Sequence, residues 1–158
     1  MIPGECQNFE DTKWKKFSRV LKSVVFIPEA RRYDPLMFSA GEQYCMLRRV
    51  NFADTDMSGR VHFTALLRYV EEAEHEWLRG KGIAVGSKNG DWPRVHVDCD
   101  YRAPLAFGDD VEVSLVVGGM GRTSVRYDFA LKKNGVVCAE GGMVIVRAGG
   151  LAVVDAAE

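Results

Sequence analysis

Beyond residue 90 the apolar positions of the chain fall on alternate residues. In RVHVDCDYR, Val95, Val97, Cys99 and Tyr101 point one way and His96, Asp98 and Asp100 the other, the two-residue period of a strand. DVEVSLVV repeats the pattern through Val111, Val113, Leu115 and Val117, and TSVRYDFAL continues it through Thr123, Val125, Tyr127, Phe129 and Leu131. Asn134-Gly135 is a hairpin signal, so a last strand is expected over residues 136–147. PLAFGDD and GGMG supply the other two turns.

Ahead of these strands the period lengthens. Phe63, Leu66, Leu67, Val70, Ala73, Trp77 and Leu78 recur at three- and four-residue steps, which makes one apolar stripe on a helix. Gly80 and Gly82 end it. EQYCMLRRVNF, at residues 42–52, reads as a strand, and ADTDMSG between the two is turn material. The order is strand, long helix, then four antiparallel strands. One apolar helix face needs one sheet face, which predicts an α+β domain with a long central helix wrapped by a curved antiparallel sheet. Several strands carry small or apolar residues on both faces, which points to a dimer.

The domain is expected over residues 41–148, with a tail at 149–158 and an extension at 1–40. Within the extension, DTKWKKFSRVLKSVVF places Trp14, Phe17, Val20, Leu21, Val24 and Val25 at helical spacings among lysines and an arginine. The favoured reading is a helix packed on its own domain, or an extension translated from an upstream start; the alternative is a basic helix touching a membrane or a partner. Pro28 ends it.

Composition narrows the class without naming it. The chain has 158 residues, 47% hydrophobic and 27% charged, as an ordinary single domain does. A formal net charge of -1 gives no field that would attract nucleic acid. Cys6, Cys45, Cys99 and Cys138 are scattered with no C-x-x-C pair, and the three histidines show no ligand spacing, so no metal is expected. Scattered cysteines and the lack of a secretory signal favour a cytoplasmic protein, and no stretch is long enough to span a membrane.

Chemistry concentrates at the head of the helix. Asp54 and Asp56 precede it, one residue apart, and Gly59 follows. An acid there can cap the helix and complement its dipole, but one acid serves for that. The first free amides, around His62 and Phe63, face outward from the helix start and could bind a developing oxyanion. A carboxylate on the approach loop could attack a thioester carbonyl or orient water. Capping and catalysis stand about even on these residues alone. His62 is expected to bond the turn. Glu71, Glu72, Glu74 and Glu76 read mostly as a solvated face, except Glu74, which falls within the apolar stripe. His96, Asp98 and Asp100 read as a strand surface. Arg94, Arg122 and Arg126 are the cations available to phosphates, with Arg122 carried as the candidate. No Gly-x-Ser-x-Gly elbow and no phosphate-binding Gly-rich loop is present.

The run FADTDMSGRVHFTALLRYVEEAEHEWLR, followed by DYRAPLAFGDDVEV, resembles the hotdog-fold acyl-CoA thioesterases of the 4-hydroxybenzoyl-CoA thioesterase type. Those enzymes carry a D-x-D-x-x-G turn before the central helix. They later carry an aromatic residue, a proline and a Gly-Asp pair, as Tyr101, Pro104, Gly108 and Asp109 are here. The resemblance covers roughly residues 42–148. It implies that the second acid, Asp56, is the catalytic carboxylate and that the backbone N–H of Phe63 polarises the thioester carbonyl. Asp54 then shapes the loop, while Gly59, His62 and Arg122 are the expected substrate contacts. A related group carries an aromatic-His pair at the helix head; this chain reads His62-Phe63, so no catalytic role passes to the histidine. An acyl-CoA substrate, a homodimer or homotetramer, and no cofactor are further implications. The rivals are action on acyl carrier protein thioesters and a non-catalytic acyl-binding module. A hotdog dehydratase is a weaker rival, because its His-bearing motif is missing.

Overall fold

In a computed structural model of the chain, residues 38–83 and 92–146 are described. They form β1 (Gln43–Arg49), α1 (Phe63–Gly80), β2 (Arg94–Tyr101), β3 (Asp110–Met120), β4 (Ser124–Lys133) and β5 (Val136–Val146), with a 3-10 turn at Phe52–Asp54. One five-stranded sheet runs β1-β3-β4-β5-β2, and every neighbouring pair is antiparallel. β1 and β2 are therefore its edges.

The alternation seen in the sequence becomes two faces. Val113, Leu115, Val117, Tyr127, Phe129, Leu131 and Ile145 lie in the buried core together with Leu66, Tyr69, Val70, Ala73, Trp77 and Leu78 of α1. Phe38 closes this layer, its ring edge-on to Trp77 and Tyr127 at 5.3 and 5.7 Å. The helix stops as expected. Gly82 has φ +74°, and the amides of Gly82 and Ile83 return to Arg79 and Leu78 at 2.9 Å each, the bonding of a glycine C-cap. Asn134 and Gly135, with φ +51° and +78°, make the hairpin turn between β4 and β5.

Two expectations change. GGMG is not a turn: β3 continues to Met120, and the register shift between Val117 and Gly119 absorbs the extra residue as a bulge. The first strand ends at Arg49, because Asp54 draws the chain into a 3-10 turn by accepting a bond from the Asn51 amide at 3.2 Å. The acidic helix run is a solvated face apart from Glu74, as expected, although Glu72 also pairs with Arg48 at 3.1 Å and Glu71 with Arg94 at 3.1 Å. The amphipathic stretch at 11–26 and the tail at 149–158 lie outside the described residues.

Glu74 is buried within the stripe. A bulge between Arg94 and His96 accompanies the turn of Arg94 toward the helix, where its guanidinium pairs with Glu74. Arg94 Nε also lies 3.2 Å from Met143 Sδ. Burial outweighs the arginine and pushes the Glu74 carboxyl up to about 7. A carboxyl raised in the folded state stabilises fully below its ordinary value, and that contribution is lost as pH rises toward 7. Glu74→Gln is thus expected to hold its melting temperature between about pH 5 and pH 8 while the wild type declines, a divergence of about 3 kcal/mol read by thermal melts.

Candidate active site

The turn that carries the two acids is a tight hairpin. Thr55 and Val61 form an antiparallel bridge, the Asp56 amide donates to the Arg60 carbonyl at 2.8 Å, and the Gly59 amide donates to the Asp56 carbonyl at 2.9 Å. Gly59 sits at φ +74°, the left-handed residue that closes a three-residue hairpin loop. The hairpin is tied down on its far side. Arg60 bridges Ala106, and the Val61 amide donates to the Leu105 carbonyl at 2.8 Å.

The two acids do different work within it. Asp54 is buried. One carboxylate oxygen accepts the Tyr69 hydroxyl at 2.6 Å and the Asn51 amide, and the other receives Arg68. Its carbonyl accepts the His62 amide at 2.8 Å. Burial pushes this carboxyl up, but the bonds from Tyr69 and Asn51 and the charges of Arg68 and Arg48 leave it below the usual range. Asp54 therefore fastens the loop to the helix, as expected for a loop-shaping residue.

Asp56 is exposed. Its Oδ1 accepts the Ser58 amide at 2.8 Å and the Ser58 hydroxyl at 2.6 Å, while Oδ2 has no partner among the described residues. The Ser58 hydroxyl, then its amide, hold the Asp56 carboxyl below its usual value, with smaller help from Arg60 and His62. One oxygen is anchored and the other is free.

At the helix head, His62 is the N-cap. Its Nδ1 lies 2.7 Å from the Thr64 hydroxyl and accepts the Thr64 amide at 3.3 Å. The cap covers the second helical amide and leaves the first: Phe63 N–H has no acceptor among the described residues, as the first turn of a helix requires. The exposed Phe63 ring rests against His62 at 4.6 Å and edge-on to Tyr101 at 6.4 Å. The Tyr101 hydroxyl donates to the Phe63 carbonyl at 3.3 Å; burial pushes that phenol up to about 12, so it stays a donor.

Asp56, Gly59, His62 and Phe63 thus share one hairpin-and-helix unit. Arg122 does not join them within the chain. It is exposed in the turn after β3, whereas the site lies at the start of that strand, where the Val50 amide donates to the Asp109 carbonyl. The intervening strand spans roughly 35 Å. Arg94 is engaged with Glu74 and Glu71, and Arg126 with Asp128 at 2.9 Å and Asp98 at 3.5 Å. Sequence reasoning missed Ser58 and Tyr69. An Asp followed two residues on by Ser is an Asx-turn signal, and Tyr69, three residues after Leu66, falls on the buried stripe.

The unit carries a half-free carboxylate and, at the positive end of the helix that follows, an unspent amide suited to a carbonyl that develops negative charge. Comparisons with known proteins address the family. The profile of the thioesterase superfamily matches residues 58–139. A 1,4-dihydroxy-2-naphthoyl-CoA hydrolase of Synechococcus elongatus is 34% identical over 96 residues, spanning 58% of this chain and 71% of that protein. The structure of a gentisyl-coenzyme A thioesterase superposes with a TM-score of 0.63 at 29% identity, covering 66% of this chain and 87% of that one. A 1,4-dihydroxy-2-naphthoyl-CoA thioesterase from Synechocystis matches in fold, with a TM-score of 0.65 at 24% identity over 68% of this chain and 83% of that one. Fold and likeness together define a hotdog-fold thioester hydrolase. The chain belongs to the thioesterase superfamily.

Proposed function

We propose that this hydrolase cleaves aromatic acyl-coenzyme A thioesters to the free acid and coenzyme A, with Asp56 and the Phe63 amide as its chemical groups. The observation that carries the reading is the free oxygen of an ionised Asp56 on the same hairpin-helix unit as the unspent Phe63 N–H. The aromatic acyl group follows from the edge-on Phe63–Tyr101 rings beside that amide and from relatives named for naphthoyl and gentisyl thioesters.

In this reading the thioester carbonyl oxygen accepts the Phe63 N–H. Asp56 Oδ2 attacks the carbonyl carbon, the C–S bond breaks, and the coenzyme leaves as thiolate. Water then hydrolyses the acyl-aspartyl anhydride, returning the carboxylate and releasing the acid.

The same reading includes a homodimer through β2. Among the described residues that strand is an edge of the sheet, and Val95, Val97 and Tyr101 on it are exposed. Two copies related by a two-fold axis pair such edges antiparallel. That brings the Arg122 end of one copy toward the Phe63 end of the other, where it would meet the coenzyme's phosphates. Val97→Asp is expected to shift the native mass from dimer to monomer, with turnover falling alongside, as read by light scattering and a thiol-release assay.

The test of the substrate is thiol release from a panel of acyl-coenzyme A esters, wild type beside Asp56→Asn. Turnover of aroyl esters by wild type alone supports the reading. Turnover only of acyl groups on a carrier protein would move the substrate. Binding of acyl-coenzyme A without any turnover would make the chain an acyl-binding module.

A further inference from the structure

The middle of the sheet face opposite α1 is buried, although its β1 edge and Asp100 are exposed. Antiparallel sheets commonly leave one face to solvent, with polar residues on it. Here Ser114, Ala130, Val144 and Val146 point away from the helix-side core, yet they are only 6%, 0%, 6% and 3% exposed. α1, the only α-helix among the described residues, packs on the other face. Charge is sunk into the same surface. The Arg126 guanidinium lies against Gly142, where a Cβ would meet it at 1.8 Å, and its side chain keeps 13% exposure while pairing with Asp98 and Asp128.

The surface is acidic on balance: Asp98, Asp100, Asp110, Glu112, Asp128 and Glu140 outnumber Arg49, Arg102, Arg126 and Lys132, with Arg102 paired to Asp100 and Glu140. One stretch of the chain has the complementary chemistry. Within residues 13–26, Lys13, Lys15, Lys16, Arg19 and Lys22 flank an apolar stripe of Trp14, Phe17, Leu21 and Val24. Its reach is sufficient. The described residues begin at Phe38, near Gly41, whose amide donates to Val117 at 2.9 Å. This is the end of the sheet at which Ser124 pairs with Val146. Residues 27–37, extended, span roughly 35 Å, enough to round the β1 edge.

We propose that the outer sheet face is the docking surface of the chain's own basic, apolar-striped segment, residues 13–26. The segment's lysines meet the acids of β2, β4 and β5, and its apolar stripe lies over Ala130, Val144 and Val146. Occupied this way, the face is closed to a second dimer and to other partners. The inference is independent of the substrate.

Zero-length carbodiimide cross-linking of the full chain tests it. Light and nitrogen-15-labelled chains are unfolded together, refolded at equal ratio, cross-linked and digested. The expected result is amide links from Lys13, Lys15, Lys16 or Lys22 to Asp98, Asp128 or Glu140, in which light and heavy peptides do not mix. Links that are about half mixed would mean that a second copy occupies the face and would overturn the proposal. An absence of links between these groups, with other Lys–carboxylate pairs of the sheet joined, would also overturn it. A second measurement uses vesicles of phosphatidylcholine and phosphatidylserine. A docked segment leaves the full chain in the supernatant on sedimentation. Co-sedimentation that is abolished by Lys13→Glu with Lys16→Glu would assign the segment to membranes instead.

Discussion

Asp56→Asn is expected to lower kcat/KM for an aroyl-coenzyme A by about 10^3-fold or more with little change in melting temperature. The two results come apart for a geometric reason. Ser58 bonds only Oδ1 of Asp56, through its amide and its hydroxyl, and an asparagine keeps that acceptor. The hairpin, closed independently by the Asp56 and Gly59 amides, survives. What is lost is the negative charge and the free second oxygen. The pH dependence carries the same signature. Ser58 holds the Asp56 carboxyl below its ordinary value, so the carboxylate is present above that value. The acid-side fall in kcat/KM is therefore expected below about pH 4 rather than near neutrality. A limb near pH 7 would point to another group, such as Glu74.

Asp54→Ala is expected to act in the opposite way, lowering stability by about 3 kcal/mol, or roughly 10 °C in melting temperature. The substitution leaves the buried Tyr69 hydroxyl and the Asn51 amide without their acceptor and releases Arg68. Turnover falls because the loop loosens. Tyr69→Phe, which removes one of these bonds while the carboxylate keeps Asn51 and Arg68, is expected to lose about half as much. The sign of the pH effect follows from the depressed carboxyl. Its contribution is present above the ordinary aspartate value and is lost as pH falls through the folded value. Wild type therefore loses its advantage over Asp54→Ala on acidification, which parallel melts at several pH values would show.

Much of the framework was legible because burial on one face forces a period. Val111 to Val117 and Val125 to Leu131 alternate into the core, and the helix stripe is as regular. The Gly118 bulge was not legible, since glycine reads equally as a turn or as an irregular strand residue. Partners that arrive from distant strands were not legible either. Glu74 stood out as an acid in an apolar stripe, but Arg94 reaches it from β2, and no local pattern announces that meeting. The two acids of the turn show the limit most clearly. Spacing placed both at the helix head, yet only the structure separates a carboxylate held by Tyr69, Asn51 and Arg68 from one with an oxygen to spare. Within one chain Arg122 stands a strand's length from the helix head, because distance along β3 is set by strand length, which a list of cations ignores.

The most direct measurement is a crystal structure of the protein with a non-hydrolysable aroyl-coenzyme A, in which a methylene separates carbonyl and sulfur. The carbonyl oxygen is expected at about 3 Å from the Phe63 amide nitrogen, with Asp56 Oδ2 facing the carbonyl carbon at roughly 3 to 3.5 Å. A carbonyl bound with its oxygen on another donor, or with Asp56 turned away from it and still bonded only to Ser58, would contradict the assignment of the catalytic carboxylate and amide.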